Sequence, residues 1–435
     1  MNPTTTARRR FLRTLSLAAL ALAGTWLSGG TLEASAAPTT AAPILIGHYG
    51  SLTGSEATFG QSTSNGIRLA IKEFNAAGGL GGRMIELKEY DTKGDANEAT
   101  LAVTRLVKSD KVAAVLGEVA SKLSLAGGPV CQEAGVPMIS PSSTNPSVTA
   151  IGDMVFRVCF IDPFQGFAGA KFAIEDLKAK NAAVLIDQGQ AYAVGLADEF
   201  KSNFAKLGGK IVTEQKYTGG AQDFTAQLTT IRSAKPDVLY IPGYYTDVGN
   251  IALQARKLGI TAPLLGGDGW DSSELAKIAK DAIEGCFYTN HYAPDQKDAR
   301  VQEFIKKYQA EYKGATPDGL AALGYDAAKI LFDAMKRAKS LDGRDLRNAI
   351  ADTKKFPGVT SIIQTWWTSY KGYGKDGKLQ LSSKGFKSRA AAIKTVGDAI
   401  LDYENSVTTD ADRRPLDEKG NPRLYRWPGA KNLGE

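Results

Sequence analysis

Two sets of side chains in this sequence have the chemistry to hold a small charged molecule. Ser121 follows the apolar run 112–116, and Ser142, Ser143 and Thr144 follow the apolar run 137–140. Hydroxyls just past strand ends, with the backbone N–H groups of the helix starts beyond them, can capture an anion without a buried cation. The same residues suit ordinary helix N-caps, so either use accounts for them. Further along, Tyr192, Tyr244, Tyr245, Asp268 and Trp270 fall at the ends of successive apolar runs. Asp268 offers a countercharge, and tyrosine faces and hydroxyls can position a cation, which together make an ammonium receptor. Taken singly, the tyrosines suit a sheet edge equally well and Asp268 suits a helix cap.

Covalent and metal chemistry find little footing. The two histidines, His48 and His291, stand in no setting like a hydrolase triad or a zinc site. The words GxSxG, HExxH, GxxxxGKS/T and CxxC are absent. Gly78 to Gly82 precedes a strand, the reverse of a dinucleotide fingerprint, and Asp91 and Asp95 read as turn and N-cap residues. No enzyme, cofactor or metal is expected.

The elements that must position these residues begin with 43–91. A short apolar strand (44–49) leads through a Ser/Thr/Gly turn into a helix on which Ile67, Leu69, Ala70, Ile71 and Phe74 recur at helical spacing. The run 75–82 stops it, and a second strand ends at Asp91. This is a βαβ unit, so a parallel sheet follows, and its first loop lies where open α/β sheets place ligands.

Gly47, Ser51-Leu52-Thr53-Gly54, Phe59-Gly60, Gly66-Ile67, Ala70, Phe74-Asn75, Ala77-Gly78-Gly79 and Gly81-Gly82 carry a longer likeness. In these residues the chain resembles the periplasmic type I solute-binding proteins that serve branched-chain amino acid ABC transporters. The resemblance implies two doubly wound parallel-sheet lobes joined by a multi-strand hinge. It also implies an amino acid as ligand and a membrane permease as partner. In that family Ser121, Ser142, Ser143 and Thr144 would hold a ligand carboxylate, and Tyr192, Tyr244 and Asp268 the amine. Phe59 and Trp270 would form an aromatic wall. Tyr325, in a GYDAA word, either lines the cleft or packs the core. Asp268 stands where branched-chain binders usually have Glu, which leaves open an amide, a urea-like molecule or an aromatic acid as ligand, or a receptor outside transport.

The rest of the chain repeats the βα pattern. A helix is expected over 96–108, a strand over 112–116, a helix over 123–134 and strands over 137–140 and 155–160. The alternation restarts at Asp162, with helices over 167–178, 195–207, 224–233 and 248–258 and strands over 182–186, 210–217, 238–241 and 263–266. The lobes are accordingly set at 38–161 plus 292–358 and 162–291 plus 359–435. Helices over 301–312, 320–338 and 345–353 complete the pattern. Residues 361–412, with Trp366, Trp367, Tyr370 and Tyr373, have no counterpart in the family and read as an insertion before a late hairpin at 416–422.

Residues 1–37 read as an export leader: Arg8, Arg9, Arg10 and Arg13, an apolar Leu/Ala run, and a small-residue site for cleavage near Ala36. The Arg8-Arg9-Arg10-Phe11-Leu12 word resembles a twin-arginine signal, with Ala7 where Ser or Thr is usual. A periplasmic protein is expected. The net charge of +7 lies in the leader and in the last 65 residues, where thirteen Lys/Arg meet nine Asp/Glu. The body is near neutral, and nucleic-acid binding is not expected. Cys131, Cys159 and Cys286 are far apart among apolar neighbours and read as buried thiols.

Overall fold

The computed structural model describes residues 42–353 and 356–359 and the backbone of 371–373 and 379–381. The expected leader, the 416–422 hairpin and most of the expected insertion lie outside the described residues. Within the insertion, two short strands, 371–373 and 379–381, pair antiparallel.

The first sheet is built from β1 (Ile44–Gly50), β2 (Ile85–Asp91), β3 (Val115–Leu116), β4 (Met138–Ser140) and β5 (Val155–Arg157), in the order β2-β1-β3-β4-β5. Every neighbouring pair is parallel. The helices between them are α1 (Ala57–Ala76), α2 (Ala96–Thr104) and α3 (Ser121–Ala134). The second lobe opens with α4 (Asp162–Glu175) and runs through β6 (Asn181–Asp187), α5 (Ala191–Lys206), β7 (Lys210–Tyr217), α6 (Thr225–Ala234), β8 (Val238–Ile241), α7 (Tyr245–Lys257), β9 (Leu264–Gly266), α8 (Ser273–Ala279) and β10 (Phe287–Tyr288). Its sheet has the order β10-β9-β8-β6-β7, again parallel throughout. Counted within each lobe, both sheets are wound 2-1-3-4-5. Each therefore has one switch point, between its first and third strands, where the flanking loops diverge and leave a crevice.

The chain then returns to the first sheet through α9 (Ala299–Glu311), α10 (Gly319–Arg337) and α11 (Gly343–Ala351). Val301, Phe304, Ala321, Leu331 and Leu346 share one core with Ile46, Ile67 and Phe74. The crossing of α1 and α10 is close because it is glycine on both sides. A Cβ on Gly66 would lie 2.0 Å from the Ala321 carbonyl oxygen, and one on Gly324 would lie 2.5 Å from that of Thr63. In the second lobe Phe200 stacks on Tyr240 at 3.8 Å between centroids, both fully buried.

Several boundaries differ from the expected ones for local reasons. The second helix turns from α to π geometry at Arg105. The strand expected over 155–160 ends at Arg157, and α4 starts at Asp162 rather than at residue 167. Pro163 sits in the first turn of α4, where its missing N–H is no loss, so it opens the helix rather than simply ending a strand. Helices α5 and α7 also begin a turn or so early, at Ala191 and Tyr245. All three cysteines are free and buried, and burial pushes the Cys131 and Cys159 thiols up to about 12. Among the described residues no helix is long and apolar enough to cross a membrane.

Candidate functional site

The early helix starts place the chemistry. Ser121 is the first residue of α3, beyond the loop 117–120 that follows the third strand. Tyr192 is in the first turn of α5, and Tyr244 is the N-cap of α7. Asp268 opens a 3-10 turn just past β9. These positions follow the strands that flank the two switch points or their neighbours, and Ser121 lies at the N-terminus of α3, whose dipole end favours an anion.

One cavity collects residues from both lobes. Phe59, Val119, Ser121, Ser142 and Leu320 line it from the first lobe, and Tyr192, Tyr244, Asp268 and Gly269 line it from the second. The lobes touch around it. Thr58 Oγ1 lies 2.9 Å from Ser272 Oγ, Thr246 Oγ1 donates to the Ser55 carbonyl at 2.6 Å, and Asn145 Nδ2 donates to the Ala191 carbonyl at 2.9 Å. This cavity measures about 10 Å³, and a separate outer cleft of about 250 Å³, which shares Tyr244 with it, is bordered by Glu56, Lys122, Asp187 and Asp247.

Asp268 is 6 % exposed and firmly held. Gln165 Nε2 donates to its Oδ1 at 3.0 Å, its backbone N–H donates to Gln165 Oε1 at 2.8 Å, and His291 Nε2 lies 2.9 Å from its Oδ2. Beside it Tyr192 lies parallel to Tyr244, with centroids 5.2 Å apart, and the Tyr192 hydroxyl accepts from the Gly269 N–H at 3.2 Å. Burial first, then the Asp268 charge, pushes the Tyr192 phenol well above its ordinary range. Burial, then Glu56 and Asp268, does the same at Tyr244. Both rings are therefore held as neutral phenols.

On the facing side the Ser121 hydroxyl accepts from the Asn145 N–H at 3.3 Å. The loop below is fixed by buried Glu118. It accepts from the Ser51 N–H at 2.7 Å, the Ser51 hydroxyl at 2.9 Å, the Thr92 hydroxyl at 3.1 Å and the Ala120 N–H at 2.6 Å. One carboxylate thus ties together the loops after β1, β2 and β3, and Ser51 of the opening word serves that tie.

Six of the ten residues expected at the site line the cavity: Phe59, Ser121, Ser142, Tyr192, Tyr244 and Asp268. Four do not. Ser143 turns inward, its hydroxyl 3.0 Å from the Glu118 and Val119 carbonyls and 2.8 Å from Ser124 Oγ. Thr144 is buried outside the cavity lining, and its carbonyl accepts from the Asp162 N–H at 3.0 Å. Trp270 is fully buried under its own sheet, donating from Nε1 to the Ile241 carbonyl at 3.0 Å. A Cβ on Gly266 would lie 2.1 Å from the Trp270 indole, so the glycine is the seat of the ring. Tyr325 packs with Phe304 on α9, and its hydroxyl donates to Glu73 at 2.7 Å. Of its two expected roles, core packing is the one observed. Sequence reading missed Gln165, His291, Val119, Gly269 and Leu320. Only His291 carried a signal, as one of two histidines in the chain.

Two alike lobes closing over one cavity, hydroxyls on one wall and an acid among aromatic rings on the other, define a two-lobed solute-binding protein of the type I periplasmic fold. The chain belongs to the periplasmic binding protein family, whose pattern matches residues 43–373. It is 33% identical over 353 residues to a Leu/Ile/Val-binding protein of Rhizobium johnstonii, covering 80% of this chain and 92% of that protein. Over 320 residues it is 32% identical to the leucine-, isoleucine-, valine-, threonine-, and alanine-binding protein of Pseudomonas aeruginosa, covering 73% and 84%. Among solved structures it is similar to the leucine binding protein LivK of Thermotoga maritima, with 38% identity, TM-score 0.71 and coverage of 79% and 96%. It is also similar to the branched-chain amino acid transporter substrate binding protein LivJ of Streptococcus pneumoniae in complex with isoleucine, with 33% identity, TM-score 0.72 and coverage of 78% and 98%.

Proposed function

We propose that this protein is the extracytoplasmic substrate-binding component of an ABC importer and captures an amino acid with a branched-chain or other apolar side chain. The observation that carries the reading is the pairing of Ser121 and Ser142 with Asp268 across one cavity. The hydroxyls and the α3 N-terminus receive the carboxylate, and Asp268 with Tyr192 and Tyr244 receives the ammonium. Phe59, Val119 and Leu320 supply apolar surface for the side chain. Because each lobe holds a different end of the ligand, binding favours the closed form, and that shape is what a membrane permease reads. The lobes in this reading are 38–161 plus 292–358 and 162–291 plus 359–435. The chain reaches the periplasm by a leader cleaved near Ala36.

A thermal-shift and calorimetric comparison of leucine, leucinamide and 4-methylpentanoate tests the zwitterion requirement. Leucine should raise the melting temperature far more than either analogue, each of which lacks one charge. Equal shifts for leucine and 4-methylpentanoate would remove the amine site, and the best response to an aromatic acid or an amide would replace the ligand class.

A further inference from the structure

The acceptor carboxylate of Asp268 is tied to the hinge. His291, whose Nε2 lies 2.9 Å from Asp268 Oδ2, belongs to the segment 289–298 by which the chain leaves β10 for α9 and the first lobe. Its imidazole lies nearly flat on Phe160, with centroids 3.6 Å apart and planes 24° apart. Phe160 sits in the other crossing, between β5 and α4. Both side chains are buried, at 2 % and 4 % exposure. One ring therefore joins the two interlobe crossings to each other and to the acid. An ionised carboxylate oxygen only accepts, so Nε2 is the ring nitrogen that carries the proton in this contact.

We propose that His291 is a positioning residue that orients the Asp268 carboxylate toward the ligand ammonium. The inference rests on the amino-acid reading above. With Gln165 on Oδ1 and His291 on Oδ2, rotation of the carboxylate about its last torsion is blocked from both sides. Charge-assisted hydrogen bonds are strong and lose strength steeply when misaligned, so a carboxylate free to turn makes a poorer ammonium acceptor.

The test is a double-mutant cycle on leucine affinity, read by calorimetry with a melting curve for each variant. H291F keeps a flat ring on Phe160 and removes the donor, while H291Q keeps a donor and removes the ring. H291F should weaken leucine about tenfold in the native background and less than twofold in a D268N background. H291Q should retain leucine affinity within about threefold. If H291F does not fold, H291L, which also lacks a donor, takes its place with the same expectations. The same loss in both backgrounds, or no loss in the native one, would overturn the proposal, since a purely structural role does not depend on the acid. An unchanged leucine affinity in D268N alone would instead refute the amine site and leave the two failures distinguishable.

Discussion

The ring of Phe59, on the first helix, meets Tyr244 of the second lobe edge-on, with centroids 5.4 Å apart and planes at 85°. The same ring stands 5.1 Å from Tyr245 at 69°. This trio bridges the lobes beside the cavity, so aromatic contact contributes to holding them together. Each such pair contributes about 0.5–1.5 kcal/mol beyond its buried area. F59A should therefore open the resting protein and weaken ligand binding about tenfold or more. Small-angle scattering of the ligand-free protein checks this through a larger radius of gyration, and an unchanged radius would mean that the trio does not hold the cleft.

Replacing Asp268 removes the charge while leaving one acceptor oxygen in place. D268N should cost leucine more than tenfold in affinity, since hydrogen bonds to charged groups are worth about 1.5–3 kcal/mol. Calorimetry at one pH and salt concentration measures it directly.

The opposite wall calls for a ligand series. S121A combined with S142A removes both cavity hydroxyls while keeping the α3 N-terminus. Leucine should lose about tenfold or more in affinity and leucinamide no more than about twofold, because only the former presents an anion to that wall. Equal losses would mean that the ligand sits the other way round.

Glu56 predicts a pH dependence. It is 7 % exposed at the rim of the outer cleft, and Gln190 Nε2 of the other lobe approaches its Oε1 at 3.4 Å. Burial first, then the negative charges of Glu118, Asp247 and Asp187, raises its carboxyl from 4.5 to about 8, with Lys122 opposing. The folded protein thus keeps a proton that the unfolded chain has released. This contribution is complete at pH below about 4.5 and is lost as the pH rises toward 8, with a slope approaching 1.4 kcal/mol per pH unit in between. Burial also raises Asp162, Glu118 and Asp187, so the Glu56 share is read as the difference between the native protein and E56Q. Denaturant midpoints should fall more steeply from about pH 6.5 to 7.5 in the native protein than in E56Q.

A fifth test concerns the frame. With a Cβ on Gly66 placed 2.0 Å from the Ala321 carbonyl oxygen, G66A must push α10 off α1. Overpacking of this kind costs about 1–3 kcal/mol, seen as a lower melting temperature. Because Leu320 of α10 lines the cavity, leucine affinity should fall as well.

The order of strands and helices is legible in the chain because every apolar run ends in a Gly, Pro, Ser or Asp turn, and strand ends are where this architecture puts its ligands. Rotation is what the chain does not announce. Ser142 and Ser143 are neighbours with the same side chain, yet one faces the cavity and the other the carbonyls beneath it. Trp270 follows Asp268 by two residues and points into the core because Gly266 leaves it a seat. His291 lies far from Asp268 in sequence, and only the second crossing brings them together. Such facts belong to side-chain packing, some of it between neighbours in the chain and some between distant segments, which periodicity does not encode.

The glycine contact between α1 and α10 bears on how the molecule comes into being. A growing chain makes α1 early but must extend past the whole second lobe before α10 exists to cover it. The portion that begins first therefore finishes last, and until then the apolar face of Ile67, Leu69 and Phe74 lacks its cover. A nascent chain in that condition is a natural client for holding factors, and truncation anywhere before α10 would leave a sticky half-molecule rather than a smaller functional one.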